Sequence, residues 1–271
     1  MAENFWNQVL AFAEATTQTV GQKLLEDFGQ VQADLKADGS LVTRCDRWSD
    51  DTLRQAINAQ FPDHGVLSEE VEHIFPATDW CWIIDPIDGT TNFTRGIPVW
   101  GISLGLLYRG TPVFGYVAMP PLHQSFYGYW PGESGLEMPS GAYCNGRPIH
   151  ASEAAPSKTQ FFSLCARSTS VREKPVPCNI RMLGSAAYNL LLVGAGWAVG
   201  AVEATPKIWD IAAVWAIVQA AGATWVPLDD IEPFPLEVGV DYSRQPYPTL
   251  VAAQASQIEV FRPLVQKITK P

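Results

Sequence analysis

Apolar residues recur at helical spacing near the start of the chain: Phe5, Val9, Phe12, Ala13, Val20, Leu24 and Phe28, with Gly29 as a stop. This predicts a helix over residues 4–28. A polar, turn-rich stretch, Lys36-Ala-Asp-Gly-Ser, leads into Leu41-Val42-Thr43. A second amphipathic helix is expected over 48–59, ahead of Phe61-Pro62-Asp63. Strands are expected at 65–67 and at 80–84, the latter continuously apolar. Residues 99–108 and 112–119 read as a hairpin around Arg109-Gly110-Thr111, and 124–130 and 142–150 as further strands or turns. In the second half, strands are expected at 161–166, 198–202, 224–227 and 249–252, and helices at 185–194, 210–221 and 256–268.

Strands come in blocks and do not alternate strictly with helices. That order favours a layered mixed α/β fold over a doubly wound one. The absence of a repeat or linker suggests a single domain over 1–271, with subdomains of roughly 1–150 and 151–271. Hydrophobic residues make up 47% and charged residues 17%, enough apolar material for a large core.

The formal charge is −10. Nucleic acid and anionic membrane faces both demand basic patches, so neither is an expected partner. The longest apolar runs, such as Val99–Tyr108, are too short to span a bilayer, and Met-Ala-Glu-Asn-Phe-Trp does not read as a signal peptide. Five scattered cysteines without a C-x-x-C pair predict reduced, mostly buried thiols in a cytoplasmic protein. The four histidines, His64, His73, His123 and His150, lack metal-ligand spacing and read as surface or loop residues.

The chemistry concentrates in Ile83-Ile84-Asp85-Pro86-Ile87-Asp88-Gly89-Thr90-Thr91-Asn92-Phe93. A buried strand delivers Asp85 at its end. Pro86 stiffens the exit and Gly89 permits a tight turn. Thr90, Thr91 and Asn92 are all plausible N-caps of a following helical turn. Two carboxylates on such a turn can face one point, which suits a hard cation such as Mg²⁺. Free N–H groups at the helix start suit phosphate. Glu69 lies sixteen residues before Asp85, after a short apolar strand, and Asp210 stands at or next to the start of an apolar helix.

A rival pattern, Gly101-Ile-Ser103-Leu-Gly105, matches G-x-S-x-G. A nucleophile elbow requires a sharp strand-to-helix turn, whereas this one sits inside a continuous apolar strand. Gly194, Gly196 and Gly200 do not make a dinucleotide fingerprint.

Glu69-Glu70, then Asp-Pro-Ile-Asp-Gly-Thr-Thr-Asn-Phe, then Trp209-Asp210 resembles the inositol monophosphatase family across about residues 5–265. Lys36, Asp38, Leu41-Val42-Thr43, Asp46 and Arg181-x-x-Gly184-Ser185-Ala186-Ala187 extend the resemblance. It implies an αβαβα sandwich, usually a homodimer, and a phosphomonoesterase inhibited by lithium. Glu69, Asp85 and the Ile87 carbonyl would hold a first magnesium ion; Asp85, Asp88 and Asp210 a second; a weaker third would sit near Glu69. Thr90, backed by Asp46, would orient the attacking water. Gly89 and Thr90 N–H groups would hold phosphate. Asp88, Ser185, Ala186 and Glu203 would touch the leaving group.

A phosphate dianion approaching four carboxylates is repelled, by roughly 4 kcal/mol per unit-charge pair at 4 Å, and divalent cations reverse that sign. The resemblance makes inositol monophosphate the first expected substrate, since Glu203 suits hydroxyl-rich ligands. Histidinol phosphate, fructose 1,6-bisphosphate and 3′-phosphoadenosine 5′-phosphate are alternatives used by relatives. A reading of another class is a metal- or phosphate-binding regulator without turnover. The gap between Glu69 and Asp85, which carries Glu72 and His73, looks short for the family. Neither residue is expected to be a ligand.

Overall fold

The computed structural model describes residues 2–36, 39, 41–169 and 175–265; Asp38, from the early segment, and the end of the last expected helix lie outside them. In chain order the elements are α1 (Ala2–Asp27), β1 (Asp34–Leu35), β2 (Leu41–Val42), α2 (Arg44–Gln60), β3 (Gly65–Ser68), β4 (Trp80–Asp88), α3 (Thr90–Arg95), β5 (Gly101–Tyr108), β6 (Thr111–Met119), β7 (Gln124–Tyr129), β8 (Gly141–Cys144) and β9 (Arg147–Ile149). Then follow β10 (Phe161–Leu164), β11 (Asn179–Arg181), α4 (Ala186–Gly194), β12 (Gly200–Glu203), α5 (Ile208–Ala220), β13 (Thr224–Pro227), β14 (Thr249–Ala252) and α6 (Ile258–Val265).

A seven-stranded sheet runs β3-β4-β5-β6-β7-β8-β9 and a five-stranded sheet runs β11-β10-β12-β14-β13. Alternation along each strand splits the apolar residues into three cores. Trp82, Ile84 and Ile102 face α1 and α2. Cys81, Ile83 and Val117 face α4 and α5, which also meet Ala201 and Val251 of the second sheet. Phe162, Val202 and Leu250 face α6 through Phe261 and Val265. The layers are therefore helix, sheet, helix, sheet, helix: the αβαβα sandwich.

The middle layer is the most demanding. α5 is apolar on every side except at Asp210 and Gln219, as a helix between two sheets must be. It sits in a trough made by glycines. Gly105 pairs with Gly115 and Gly115 with Gly128 on successive strands. A Cβ at Gly115 would lie 2.0 Å from the Ala213 carbonyl oxygen, and one at Gly105 would lie 2.9 Å from the Ala213 nitrogen. The glycines of the G-x-S-x-G pattern thus both lie within strand β5, with Gly105 serving helix packing. Gly115→Ala is expected to destabilise the protein by at least ~2 kcal/mol through overpacking. Urea unfolding measures this, and a loss below ~0.5 kcal/mol would show that α5 does not sit so close.

Several element boundaries differ from expectation for local reasons. α2 starts at Arg44, not near residue 48, because Thr43 caps it. Thr43 Oγ1 accepts from the Cys45 N–H at 3.0 Å, and Asp46 Oδ2 accepts from the Thr43 N–H at 2.7 Å. The turn at Asn145-Gly146, both at positive φ, makes β8 and β9 a hairpin. β11 was not expected: it is three residues long, mostly exposed and lacks an apolar run. His64 is not a simple surface residue. It stacks on Phe61 and Trp80, accepts from the Trp82 indole at 3.1 Å, and burial pushes its pKa down to about 4. All five cysteines are free. No helix among the described residues is long and apolar enough to cross a membrane.

Candidate active site

The site begins with a break in strand parity. In a regular strand, residues three apart point to opposite faces. Asp85 pairs with Ser103 but Asp88 pairs with Gly101, so three steps on β4 oppose two on β5. This bulge absorbs one residue and returns Asp88 to the face of Asp85. Ile87 turns into the α1–α2 core. Both carboxylates thereby face the α4–α5 layer. Ser49 Oγ donates to the Pro86 carbonyl at 3.1 Å and fixes the bulge from beneath.

The chain then turns through Gly89 at φ 91°, which is the N-cap of α3 in place of the expected Thr90, Thr91 or Asn92. A side chain there would be strained, and its Cβ would lie 3.1 Å from the Val99 carbonyl oxygen. Asn92 instead acts as a brace. Its Nδ2 donates to the carbonyls of Val99 and Leu183, each at 2.7 Å, tying the β4–α3 turn to the segment before α4.

Asp88 completes that link. Its carboxylate accepts from Ser185 Oγ, from the Ala186 N–H at 3.0 Å and from the Ala187 N–H at 3.2 Å. It thus sits as an anion at the N-terminus of α4, where the helix dipole favours negative charge. Burial raises its pKa to about 6 against the pull of these donors. Asp210 occupies the first turn of α5, which begins two residues earlier than expected, and its Oδ2 accepts from the Lys207 N–H at 2.5 Å.

Oxygen atoms of Asp85, Asp88 and Asp210 all lie within 4.8 Å of one another. Burial raises Asp85 and Asp210 well above the usual carboxylate range, and neighbouring carboxylates raise them further. Glu69 follows β3, and its N–H donates to the Ile84 carbonyl at 3.1 Å, which sets it beside β4. Burial pushes it up to about 7, although Lys36 Nζ lies 2.8 Å from its Oε1. Lys36 also reaches Glu70 at 2.5 Å; burial opposes its charge, and the two glutamates hold its pKa above the ordinary lysine value.

Thr90 Oγ1 lies 3.0 Å from Asp46 Oδ1 and 3.1 Å from the Ile87 carbonyl oxygen. Asp46, buried in the first turn of α2, therefore joins a helix cap to the motif turn. Glu203 ends β12, and burial raises its pKa to about 8 while Asn189 Nδ2 donates to it at 2.7 Å. Asn189 was missed in the sequence, although a lone amide amid Ala-Ala-Tyr-Asn-Leu-Leu-Leu was a visible signal. It is itself held by Ser163 Oγ at 2.7 Å. A cleft of ≈ 240 Å³ lies over Ser185, Ala186, Glu203 and Asp210, with Arg167 and Thr205 on its wall. Ser103 is buried inside β5 without the turn a nucleophile needs.

The sequence matches the inositol monophosphatase family over residues 6–259. The chain belongs to that family. The inositol monophosphatase relatives include a fructose-1,6-bisphosphatase/inositol-1-monophosphatase of Thermotoga maritima, 36% identical over 221 residues that cover 79% of this chain and 82% of that protein. A histidinol-phosphatase of Chlorobaculum parvum is 30% identical over 223 residues, covering 79% and 83%. The solved structure of a Thermotoga maritima IMPase superposes with a TM-score of 0.80 at 30% identity, covering 96% of this chain and 97% of that one. Membership of this metal-dependent family makes the chain a phosphomonoesterase.

Proposed function

We propose that this inositol monophosphatase-family enzyme hydrolyses a small phosphorylated polyol, inositol monophosphate first, with Mg²⁺ as its metal. The observation that carries the reading is the meeting of Asp85, Asp88 and Asp210, remote in sequence, within 4.8 Å. The donor set fits a hard cation: it is all oxygen, largely buried, and raised in pKa first by that burial and then by mutual repulsion. Glu69, Asp85 and the Ile87 carbonyl would hold one ion, and Asp85, Asp88 and Asp210 another, with a third weaker ion near Glu69. Bound Mg²⁺ would supply neutralising charge and acidify water.

The chain's own groups do the rest. Thr90 Oγ1 commits its proton to Asp46 Oδ1 and offers a lone pair that orients the attacking water. The unbonded N–H groups at the start of α3 receive the phosphate oxygens. Attack in line on phosphorus breaks the bond to the ester oxygen and releases the alcohol and inorganic phosphate. Ser185, Ala186 and Glu203 face the leaving group. A homodimer remains the expected assembly on family grounds.

A panel of inositol monophosphate, histidinol phosphate, fructose 1,6-bisphosphate and 3′-phosphoadenosine 5′-phosphate at fixed Mg²⁺ tests the substrate. Inositol monophosphate should give the highest kcat/KM. Glu203→Gln should lower that value by roughly tenfold, chiefly through KM, as expected for one lost hydrogen bond. A preference for histidinol phosphate, untouched by Glu203→Gln, would reject the polyol assignment.

A further inference from the structure

The segment that follows Glu69 is short, and it does not hang free. The Ser68 N–H donates to the Glu72 carbonyl at 2.8 Å, closing a tight turn around Glu69. His73 Nε2 lies 2.8 Å from the Glu69 carbonyl oxygen. A carbonyl only accepts, so His73 donates through Nε2. Beyond it, the chain pairs with a stretch more than 160 residues away. Ile74 forms an antiparallel bridge with Asp241. The Phe75 N–H donates to the Val240 carbonyl at 3.0 Å, the Gly239 N–H to the Phe75 carbonyl at 2.9 Å, and the Tyr242 N–H to the His73 carbonyl at 2.9 Å.

That distant stretch is anchored at its other end to the start of α5. Lys207 Nζ donates to the carbonyls of Ser243 at 3.1 Å and Arg244 at 2.7 Å. The Tyr247 N–H donates to the Pro206 carbonyl at 2.8 Å. Tyr242 and Tyr247 are buried beneath it. The His73 ring also packs on Trp209, 5.5 Å between centroids and one residue before Asp210. Glu69 and Asp210 stand on different layers of the sandwich, yet His73 touches both of their neighbourhoods and the 239–247 segment ties the two backbones together.

We propose, resting on the metal reading above, that His73 and the 239–247 segment form a positioning strap that presets Glu69 against Asp210 before a cation arrives. A ligand on a short loop would otherwise sample many positions, and ordering it would oppose binding. The strap meets that ordering cost during folding. His73 is a positioning residue: it holds the backbone of a carboxylate ligand and contributes no ligand atom itself.

The test is titration calorimetry of Mg²⁺ into the full-length, chelator-treated chain, paired with amide hydrogen exchange over 69–75. His73→Ala should weaken Mg²⁺ binding about tenfold, the size typical of lost outer-shell support. Exchange over 69–75 should quicken in the same variant. His73→Gln, whose side-chain amide reaches the same carbonyl, should restore most of both. In steady state, the Mg²⁺ concentration for half-maximal rate should rise about tenfold while kcat falls much less. Wild-type Mg²⁺ affinity in His73→Ala, or His73→Gln as weak as His73→Ala, would overturn the strap. Should the wild-type chain bind no Mg²⁺, the metal reading fails by itself; the exchange comparison still decides the strap, and unchanged exchange in His73→Ala refutes it.

Discussion

Asp85→Asn is expected to lower kcat/KM by at least ~10³-fold, or ~4 kcal/mol of transition-state stabilisation. Asp85 is the residue that both proposed ions share, and it lies between Glu69, Asp88 and Asp210. The same substitution should raise the melting temperature of the metal-free protein. It removes an ionisable carboxyl that burial and its neighbours hold well above its ordinary pKa, so folding no longer carries the cost of that shift, and the Ile87 N–H that donates to Asp85 Oδ1 at 3.1 Å keeps a side-chain oxygen to bond. Activity and stability moving in opposite directions is the mark of a site held together against its own electrostatics. Phosphate release and thermal melts on the same preparation measure both. A variant retaining more than a tenth of wild-type turnover would end the proposed role of Asp85.

Removing divalent cations should make stability fall as pH rises. Asp88 titrates at about 6, Glu69 at about 7 and Glu203 at about 8, each raised first by burial. Unfolding would return them to ordinary carboxylate values near 4. Between pH ~4.5 and ~8 the folded chain therefore holds more protons than the unfolded chain, and stability declines with pH across that window. One unit of raised pKa is worth ~1.4 kcal/mol, so after allowing for coupling the loss should be on the order of 2–4 kcal/mol. That corresponds to a melting temperature lower by roughly 5–10 °C at pH 8 than at pH 5. Mg²⁺ at about a hundred times its Kd should return ~2.7 kcal/mol at pH 8, and much less at pH 5, where protons compete for the carboxylates. A melting temperature in chelator that is flat or rising over this range would contradict the linkage.

Much of this was legible in the sequence because the strongest signals were long or rigid. The apolar periodicity of residues 4–28 and the unbroken apolar character of 80–84 specify a buried helix and strand by themselves. The Asp-Pro-Ile-Asp-Gly-Thr-Thr segment is specific enough to place two carboxylates on one turn. What periodicity and spacing alone do not give is whatever depends on partners far along the chain. The role of Asp46 in capping α2 is local, but its contact with Thr90 spans 44 positions and was expected only through the family resemblance. Asp88 capping α4 spans 98 or 99 positions and leaves no trace in either segment alone. The pairing of 73–75 with 239–242 joins two irregular stretches that have no strand-like alternation. Asn189, a lone amide in an apolar helix, takes its meaning only from Glu203 beside it.

The odd residue in β4 makes the site sensitive to counting more than to chemistry. A conservative exchange at Ile87 would leave both aspartates facing the same way. Adding a position beyond the one the bulge absorbs would flip Asp88 toward the α1–α2 core, sending a carboxylate into hydrocarbon and leaving Ser185 without its acceptor, whereas losing one would erase the bulge and leave a regular strand with both aspartates on one face. An added residue here should thus cost the site far more than a removed one.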